Sequence, residues 1–144
     1  YMAESLRREG HGDAISQSRC AAIGCEETEF PFCCVTCRDG RMFCQICIVS
    51  LHDACPMHII QCWNGNYFDK IPLRELGMRY QVGHLVGEAC PHPRLAFSNH
   101  FTVIDTNGIH DVALNFCSCM QRHPFAMQLQ GSWHFPVTDI EPCT

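Results

Sequence analysis

The chain has 144 residues, of which 47% are hydrophobic, and it carries a formal net charge of −5 from 15 acidic and 10 basic residues. This length allows one modest hydrophobic core, or a small module beside a larger one. No run approaches the roughly 18 apolar residues of a membrane span, and the acidic balance excludes the basic footprint typical of a nucleic-acid-binding domain. Because the N-terminal residues also lack the apolar segment of a signal peptide, we expect a soluble, intracellular protein.

Thirteen cysteines and nine histidines dominate the chemistry of the chain. In a short secreted protein so many cysteines would indicate a disulfide scaffold. Here the odd cysteine count, the close Cys-x2-Cys pairs and the histidines at ligand spacing favour thiolate and imidazole ligands in a reducing compartment. We therefore expect metal sites rather than crosslinks, within a small α+β zinc-bound fold.

Short secondary-structure elements are predicted along the chain. The segment "AESLRREG" is typical of a helix that ends near Gly10. The segment "HIIQCW" predicts a short strand, and "WNGNYF" after it contains an Asn-Gly turn signal. The segment "IPLRELGMRYQ" then predicts one short helix with Leu73, Leu76 and Tyr80 on one face.

The clearest element is the β-hairpin in "FTVIDTNGIHDVALNF", with Asn107-Gly108 as a type I′ turn. In this register Asp105 faces His110 beside the turn. The last segment, "SWHFPVTDIEPCT", predicts an extended tail that packs through Trp133. We divide the chain into an N-terminal helix or arm at 1–19, a zinc-finger module at 20–62, and a helix and hairpin part at 63–144.

The densest ligand pattern lies in the zinc-finger module. Its pairs follow one another as Cys20-x4-Cys25, Cys34-x2-Cys37, Cys44-x2-Cys47 and His52-x5-His58. A Cys-x2-Cys knuckle lets two thiolates reach one zinc at about 2.3 Å while backbone N–H groups face the sulfurs. The two knuckles are separated by six residues. This is closer than the ~15–20 residues between pairs that share one ribbon zinc, so alternating use is favoured.

In this cross-braced arrangement each zinc joins distant segments. The first set is Cys20, Cys25, Cys44 and Cys47, and the second is Cys34, Cys37, His52 and His58. Cys33 is an alternative to Cys34, and buried free cysteines are the alternative to ligands. A module with so little core is expected to fold only with metal, so zinc would supply much of its folding free energy.

A third zinc is predicted around Cys117-x-Cys119. His110 lies seven residues from Cys117 along one strand, roughly 23 Å, and cannot share its ion. The predicted Cys3His set is His84, Cys90, Cys117 and Cys119. The substitutes for His84 are His92 and His100, and a Cys-x-Cys packed in the core is the alternative to a site.

No catalytic residue is predicted. We expect Asp105 and His110 to support the turn as a cross-strand pair rather than to act in acid–base chemistry. A cysteine nucleophile is disfavoured, because nothing in the sequence around Cys55, Cys62 and Cys143 would lower a thiol pKa. The thiols outside the ligand sets are therefore interpreted as structural.

Two resemblances follow from these motifs. The ligand order, with both histidines last, is similar to ZZ-type and B-box zinc fingers, which bind peptides or other proteins. Most of residues 20–144 also resembles the cysteine-cluster domain of the second CxC-like class associated with Kyakuja-Dileera-Zisupton (KDZ) transposases. The segments that carry this resemblance, in the family's order, are "FCQICIVSLHDACPMHIIQCWNGNYF", "LRELGMRYQVGHLVGEAC", "FTVIDTNGIHDVALNFCSC" and "WHFPVTDIEPCT".

The KDZ resemblance implies fixed points at the zinc ligands and at Gly83-His84, Gly108-Ile109-His110 and Pro136-x-Thr138. Two departures are that "MQLQGSWHFP" lacks a basic residue after the Gln-Leu pair and that "PVT" replaces the family's Pro-Ala-Thr. The family's domain precedes an RNase H-like transposase core that uses acidic residues and metal. The 144 residues contain no such core, so the resemblance implies a non-catalytic domain.

The first functional hypothesis is a nuclear, zinc-stabilised accessory domain of a DNA transposase that recognises transposon DNA or chromatin. Its DNA part rests on the resemblance alone, since phosphate binding needs basic residues and only local patches around Arg7, Arg8, Arg38 and Arg41 are present. The alternative is a protein-interaction module that binds a basic peptide or a histone tail, which an acidic surface would favour. A domain that only braces the transposase or its oligomer is the third possibility.

Overall fold

The computed structural model describes residues 1–96, 101–119 and 123–137. The chain forms two compact units, Tyr1–Leu76 and Gly77–Thr144. The predicted small α+β fold is confirmed, since short helices and β-strands are combined with Cys/His clusters able to hold metal ions. The predicted boundaries after residues 19 and 62 follow the ligand pattern rather than the packing, and they stay a prediction.

The first unit contains two helices and a three-stranded antiparallel sheet. Its elements are α1 (Met2–Glu9), a 3-10 turn (Gly12–Ser16), β1 (Phe32–Cys34), α2 (Gln45–Leu51), β2 (Ile60–Trp63), β3 (Phe68–Ile71) and a second 3-10 turn (Leu73–Leu76). The strand order is β1-β2-β3, and β2 pairs through Ile60 with both Cys34 and Ile71. The predicted helix before Gly10 and the predicted strand in "HIIQCW" are both confirmed.

The apolar core of the first unit is small. Ile48 of α2 and Ile60 of β2 are fully buried, and Phe43 and Leu73 are nearly so. The core forms where α2 packs against β1 and the second 3-10 turn. Because so few large side chains are buried, apolar burial alone gives this unit little stability.

The helix predicted in "IPLRELGMRYQ" is only partly formed. The 3-10 turn ends at Leu76, and Gly77 follows with φ +96°. This left-handed backbone ends the helix, as glycine commonly does. Tyr80 then enters a strand, so the prediction that it shares a helix face with Leu73 is wrong.

In its described residues, the second unit contains a three-stranded sheet, a separate hairpin and one helix. Its elements are β4 (Tyr80–Gln81), β5 (Pro93–Leu95), β6 (Phe101–Asp105), β7 (Gly108–Val112), β8 (Leu114–Cys117) and α3 (Phe125–Gly131). In the sheet, β8 lies between β4, to which it is parallel, and β5, to which it is antiparallel. Helix α3 was missed by the sequence analysis, although Pro124 before it and Gly131 at its end are recognised boundary signals.

The second unit is built around β8. Leu114 and Phe116 of this strand are fully buried with Leu129 of α3, and the Phe116 ring stacks on that of Phe125 at 4.4 Å between centroids. The core therefore fixes α3 against the strand that ends at Cys117. In the described parts of the chain, no helix has the length and apolarity to span a membrane.

The predicted β-hairpin is present, but its turn differs by one residue. Strands β6 and β7 pair Asp105 with Gly108 and Val103 with His110, so the turn residues are Thr106 and Asn107. Neither turn residue has a positive φ, whereas Gly108 does, at +143°. The type I′ turn and the facing Asp105–His110 pair are therefore wrong, because the glycine follows the turn instead of forming it.

Candidate metal centres

Three groups of cysteine and histidine side chains converge in the described residues. In each group the four potential ligand atoms lie within 4.8 Å of one another. The groups, numbered here as the first, second and third clusters, are Cys20, Cys25, Cys44 and Cys47; Cys34, Cys37, His52 and His58; and His84, Cys90, Cys117 and Cys119. The first two lie in the first unit and the third in the second unit.

The first cluster joins the loop before β1 to the start of α2. Cys44 is the N-cap residue of α2 and Cys47 lies in its first turn, so both sulfurs are at the same end of the helix. The Sγ atoms of Cys25 and Cys44 are 3.9 Å apart. Two thiolates on a tetrahedral zinc with Zn–S bonds of about 2.3 Å are separated by about 3.8 Å, so the spacing fits this ion.

The second cluster joins β1, the end of α2 and the start of β2. The Sγ of Cys37 lies 3.6 Å from Nε2 of His52 and 3.4 Å from Nδ1 of His58, and Sγ of Cys34 lies 3.6 Å from the same Nδ1. A sulfur and a nitrogen bound to one tetrahedral zinc are separated by about 3.6 Å. Two thiolates and two imidazoles therefore surround a position that suits Zn²⁺.

The two histidines present different nitrogens to the second cluster. Nδ1 of His52 donates a hydrogen bond to the carbonyl oxygen of Ile48 at 2.7 Å, one turn earlier in α2, which leaves Nε2 for a metal. Burial lowers the pKa of His58, and the neighbouring His52 adds to this effect, so its ring stays neutral and able to ligate. Nε2 of His52 and Nδ1 of His58 therefore both face the position that a metal would occupy.

The third cluster joins the loop after β4, the loop before β5 and the end of β8. Nε2 of His84 lies 3.1 Å from Sγ of Cys117 and 3.9 Å from Sγ of Cys119, which is 3.8 Å from Sγ of Cys90. The other imidazole nitrogen, Nδ1 of His84, lies 3.9 Å from the Glu88 carboxylate. At this distance the carboxylate is a neighbour of the imidazole and not its hydrogen-bond partner.

Cys117 is held by the side chain of Gln128 from α3. The Gln128 carboxamide accepts a hydrogen bond from the backbone N–H of Cys117 at 2.8 Å and donates to its carbonyl oxygen at 3.0 Å. Gly83 packs against this pair, because a Cβ at Gly83 would lie 2.5 Å from Oε1 of Gln128 and 2.9 Å from Cβ of Cys117. Only glycine fits here, and its φ of +81° is one that other residues rarely adopt.

Backbone N–H groups point at a ligand sulfur in each cluster. The donors and acceptors are Cys44 to Cys20 at 3.3 Å, Cys37 to Cys34 at 3.4 Å, and Cys119 to Cys117 at 3.3 Å. Such bonds stabilise a thiolate and reduce the charge that the metal must balance. Each cluster therefore has the hydrogen-bonded surroundings of a thiolate site.

In the first and third clusters, neighbouring thiols shift one another's pKa values in a way that favours a bound cation. Burial opposes the ionisation of Cys117, but hydrogen bonds from Cys119 and its other neighbours hold its pKa at about 7. The hydrogen-bonded Cys117 side chain in turn raises the pKa of Cys119 to about 11, and Cys44 similarly raises the pKa of Cys47. One thiolate thus suppresses ionisation of the next, and a divalent cation removes that penalty.

Among the described residues, the other candidates from the sequence do not enter the clusters. Cys33 lies on the strand beside Cys34, outside the second cluster, and burial raises its pKa to about 11. His92 is exposed, and its carbonyl oxygen accepts a hydrogen bond from the N–H of Ser118. His110 contacts Oδ1 of Asn107 at 2.6 Å and so supports the hairpin turn. The remaining candidates, His100, Thr138 and Cys143, lie outside the described residues.

A comparison with family models identifies the second half of the chain. The model described as CxC2-like cysteine cluster associated with KDZ transposases matches residues 73–144, which is half of the sequence. The chain belongs to this family. No curated protein and no solved structure gives a match.

The match to the CxC2-like family covers the third cluster, whereas the first two clusters lie before it. The segment "FCQICIVSLHDACPMHIIQCWNGNYF", on which part of the resemblance rested, is also outside the matched residues. The family is a cysteine cluster and not a catalytic family. Gln128 and Gly83, which fix Cys117, lie within the match, but sequence reasoning did not identify Gln128 because its partner is the backbone.

Proposed function

We propose that this chain is a zinc-binding, non-catalytic accessory domain of a KDZ-type DNA transposase. The observation that carries the proposal is the third cluster, a Cys3His set in the part of the chain that the family model matches. The first two clusters add eight further ligands to the first unit. Such clusters fit Zn²⁺ better than hard cations, which prefer oxygen ligands.

The proposed zinc ions are structural. Each cluster offers four protein ligands, which fill the coordination sphere of a tetrahedral zinc. A catalytic zinc instead keeps one position open for water or substrate. The chemistry that zinc supplies here is the joining of segments distant in sequence. This role agrees with the small core of the first unit and with an inert domain that serves a catalytic core elsewhere in the polypeptide.

Elemental analysis of the purified chain tests the metal assignment. We expect three zinc ions per chain, one for each cluster. A value near two would reject the third zinc, and a value near zero would reject the proposal. A chelator should also unfold the first unit, so a far-ultraviolet circular dichroism spectrum unchanged by metal removal would contradict a structural role.

For the recognition role, we propose transposon DNA or chromatin as the ligand, in the nucleus where a DNA transposase acts. The support for DNA is the association of the family with transposases. The negative charge of the chain limits where DNA could bind. With all sites filled, nine thiolates and three Zn²⁺ ions change the formal charge from −5 to about −8. DNA binding would then depend on local basic patches.

Two of the four arginines in the proposed patches, Arg7 and Arg41, are paired with acids. Arg41 contacts the Asp39 carboxylate at 2.8 Å, and Arg7 contacts those of Glu4 and Asp13. Further pairs in the described residues join Arg19 to Glu26 at 2.6 Å and Arg74 to Glu75 at 3.7 Å. Phosphate contacts would have to compete with these carboxylates. This observation favours the second candidate, a basic protein tail of chromatin, over the DNA backbone.

One titration separates the two candidates. The zinc-loaded chain is mixed with labelled terminal-inverted-repeat DNA and with a labelled basic peptide, each at low and at higher salt. Absence of DNA binding at low salt would exclude direct DNA contact, and peptide binding weakened by salt would support the chromatin candidate. Failure of both ligands would leave a domain that only braces the transposase.

A further inference from the structure

The end of helix α3 places a tryptophan where a glycine is expected. The backbone N–H of Trp133 donates to the carbonyl oxygen of Gln130 at 3.0 Å, and that of His134 donates to Leu129 at 2.9 Å. These two bonds form a Schellman motif, in which the residue between the helix and the extended chain is left-handed and usually glycine. Trp133 occupies that position with φ +62°. A bulky side chain is disfavoured in this conformation, so the backbone does not explain the choice of tryptophan.

The packing does not explain Trp133 either. Sequence analysis predicted that this residue packs on the domain, but its side chain is 89% exposed. Phe135 and Val137, at alternate positions of the extended segment, are also exposed. His134 lies between Trp133 and Phe135 in the sequence, and its ring is 5.9 Å from that of Tyr80. Three large apolar side chains are thus presented to solvent by one segment, which is typical of a contact surface.

A cleft of about 510 Å³ lies next to this segment. Its walls come from the loop that carries His84, from the third-cluster cysteines at the end of β8, and from α3 as far as Ser132, the residue before Trp133. Leu85 and Met127 line the cleft and are more than half exposed. Part of this volume is the metal position of the third cluster, and the part beside Leu85 and Met127 suits an apolar side chain.

The charge of the cleft selects against anions. Its lining includes the carboxylate of Glu88, and no described lining residue is a lysine or an arginine. With zinc bound, the third cluster adds a formal charge of about −1, from three thiolates and one Zn²⁺. A cationic ligand is therefore favoured over phosphate or carboxylate.

We propose that Trp133 and this cleft bind a peptide segment in which an apolar side chain is followed by lysine or arginine. The apolar side chain packs against Leu85 and Met127 in the cleft, the cation lies toward Glu88, and the exposed indole of Trp133 covers the bound side chains. The inference rests on the proposed recognition function and gives it a site and a ligand class. The cost of tryptophan at a left-handed position is then explained by binding rather than by folding.

The test separates binding from folding through Trp133→Gly. Glycine suits the left-handed position and the lost ring is exposed, so this variant should keep three zinc ions and a melting temperature equal to or above that of the original chain. The probe is a fluorescein-labelled peptide with a Leu-Lys-Arg centre in Gly-Ser flanks, followed by anisotropy against the zinc-loaded chain. We expect Trp133→Gly to weaken binding by about ten-fold or more and Glu88→Gln to weaken it several-fold.

Matched controls define what would overturn the inference. Ile104→Ala removes an apolar side chain that is 70% exposed on the β6–β7 hairpin, and it should bind the peptide unchanged. A peptide with glutamates in place of Lys-Arg should not bind. Equal affinity of the original chain and Trp133→Gly, or no peptide binding by a chain that holds three zincs, would overturn the site. If the chain bound DNA but not the peptide, and Trp133→Gly bound DNA equally well, this inference would be overturned. The proposal of DNA recognition would still stand.

Discussion

Two glutamine side chains form paired hydrogen bonds with backbone groups at or near candidate metal ligands. The carboxamide of Gln17 accepts from the N–H of Met42 at 3.1 Å and donates to its carbonyl oxygen at 2.6 Å, two residues before Cys44. Gln128 makes the same pair of bonds with Cys117 and is only 4% exposed. Each amide thus satisfies one backbone N–H and one backbone carbonyl oxygen at or near a candidate ligand.

The first prediction concerns Gln128→Glu. The buried carboxylate can still accept from the N–H of Cys117, but it cannot donate to the two carbonyl oxygens that Gln128 contacts, those of Cys117 and His123. We expect a loss of about 2–3 kcal/mol in the free energy of unfolding, together with weaker metal binding at the third cluster. Urea unfolding and zinc competition against a chromophoric chelator measure the two effects. Gln130→Glu, on the exposed side of the same helix, is the control and should change neither.

The second prediction concerns Gly83→Ala. Gly83 and Gly87 have nearly the same left-handed φ, +81° and +85°, but a Cβ at Gly87 would meet no atom within 4 Å. Gly87→Ala should therefore cost only the backbone term, about 1–2 kcal/mol. Gly83→Ala adds the clash with Gln128 and Cys117, so we expect a larger loss of stability and the loss of one zinc per chain. Equal stability of the two variants would show that the close approach at Gly83 is unimportant.

Helix α2 is the element that links the first two clusters. Its N-cap residue is Cys44, with Cys47 in the first turn, and its C-cap residue is His52. Seven helical residues rise about 10 Å. The helix therefore holds two ligands of the first cluster at a fixed distance from one ligand of the second cluster. Since the surrounding core is small, ordering of α2 by either metal should assist the other site.

The third prediction tests this coupling with Cys47→Ser. Removing one ligand of the first cluster frays the start of α2, so we expect weaker binding at the second cluster as well and a fall from three zincs toward one. Cys119→Ser, in the other unit, should remove one zinc only. Zinc counting and Co²⁺ absorption spectra of each variant measure the outcome. Cys33→Ser, outside the clusters, should keep all three metals, and loss of one zinc in both ligand variants would argue against coupling.

On the scale of the whole molecule, the two units carry their candidate metals separately. The division after Leu76 leaves two clusters in the first unit and one in the second, and no cluster takes ligands from both. Each unit also has its own buried side chains, around Ile48 in the first and around Phe116 in the second. The division by packing therefore also separates the first two clusters from the third.

The fourth prediction follows from this division. A fragment of residues 1–76 should bind two zincs and a fragment of 77–144 one, each with the Co²⁺ spectrum that its cluster gives in the full chain. Zinc should raise the unfolding temperature of each fragment by itself, since metal that binds the folded state stabilises it. A fragment that binds no metal alone, but regains it when mixed with the other, would show that the units fold as one.

The sequence determined the chemistry of this protein and much of its organisation. Ligand type and spacing predicted the first two groups whose atoms converge in the structure, because a chain with so few residues between Cys-x2-Cys knuckles has few ways to surround an ion. The third group was predicted from Cys117-x-Cys119 and from the cysteine and histidine that precede the hairpin. That these groups bind zinc stays a prediction. The α+β class and the family followed from the same local motifs.

Only the tertiary structure decided features that depend on residues distant along the chain. Gly108 signals a turn, but cross-strand pairing placed the turn at Thr106 and Asn107. Gln128 carries no sequence signal for its role, because the backbone of Cys117 can be its partner only after α3 packs on β8. The exposure of Trp133 could not be predicted from the sequence either, because aromatic residues are usually expected to be buried. Spacing fixes what neighbouring residues can reach, whereas contacts between separate elements exist only in the folded chain.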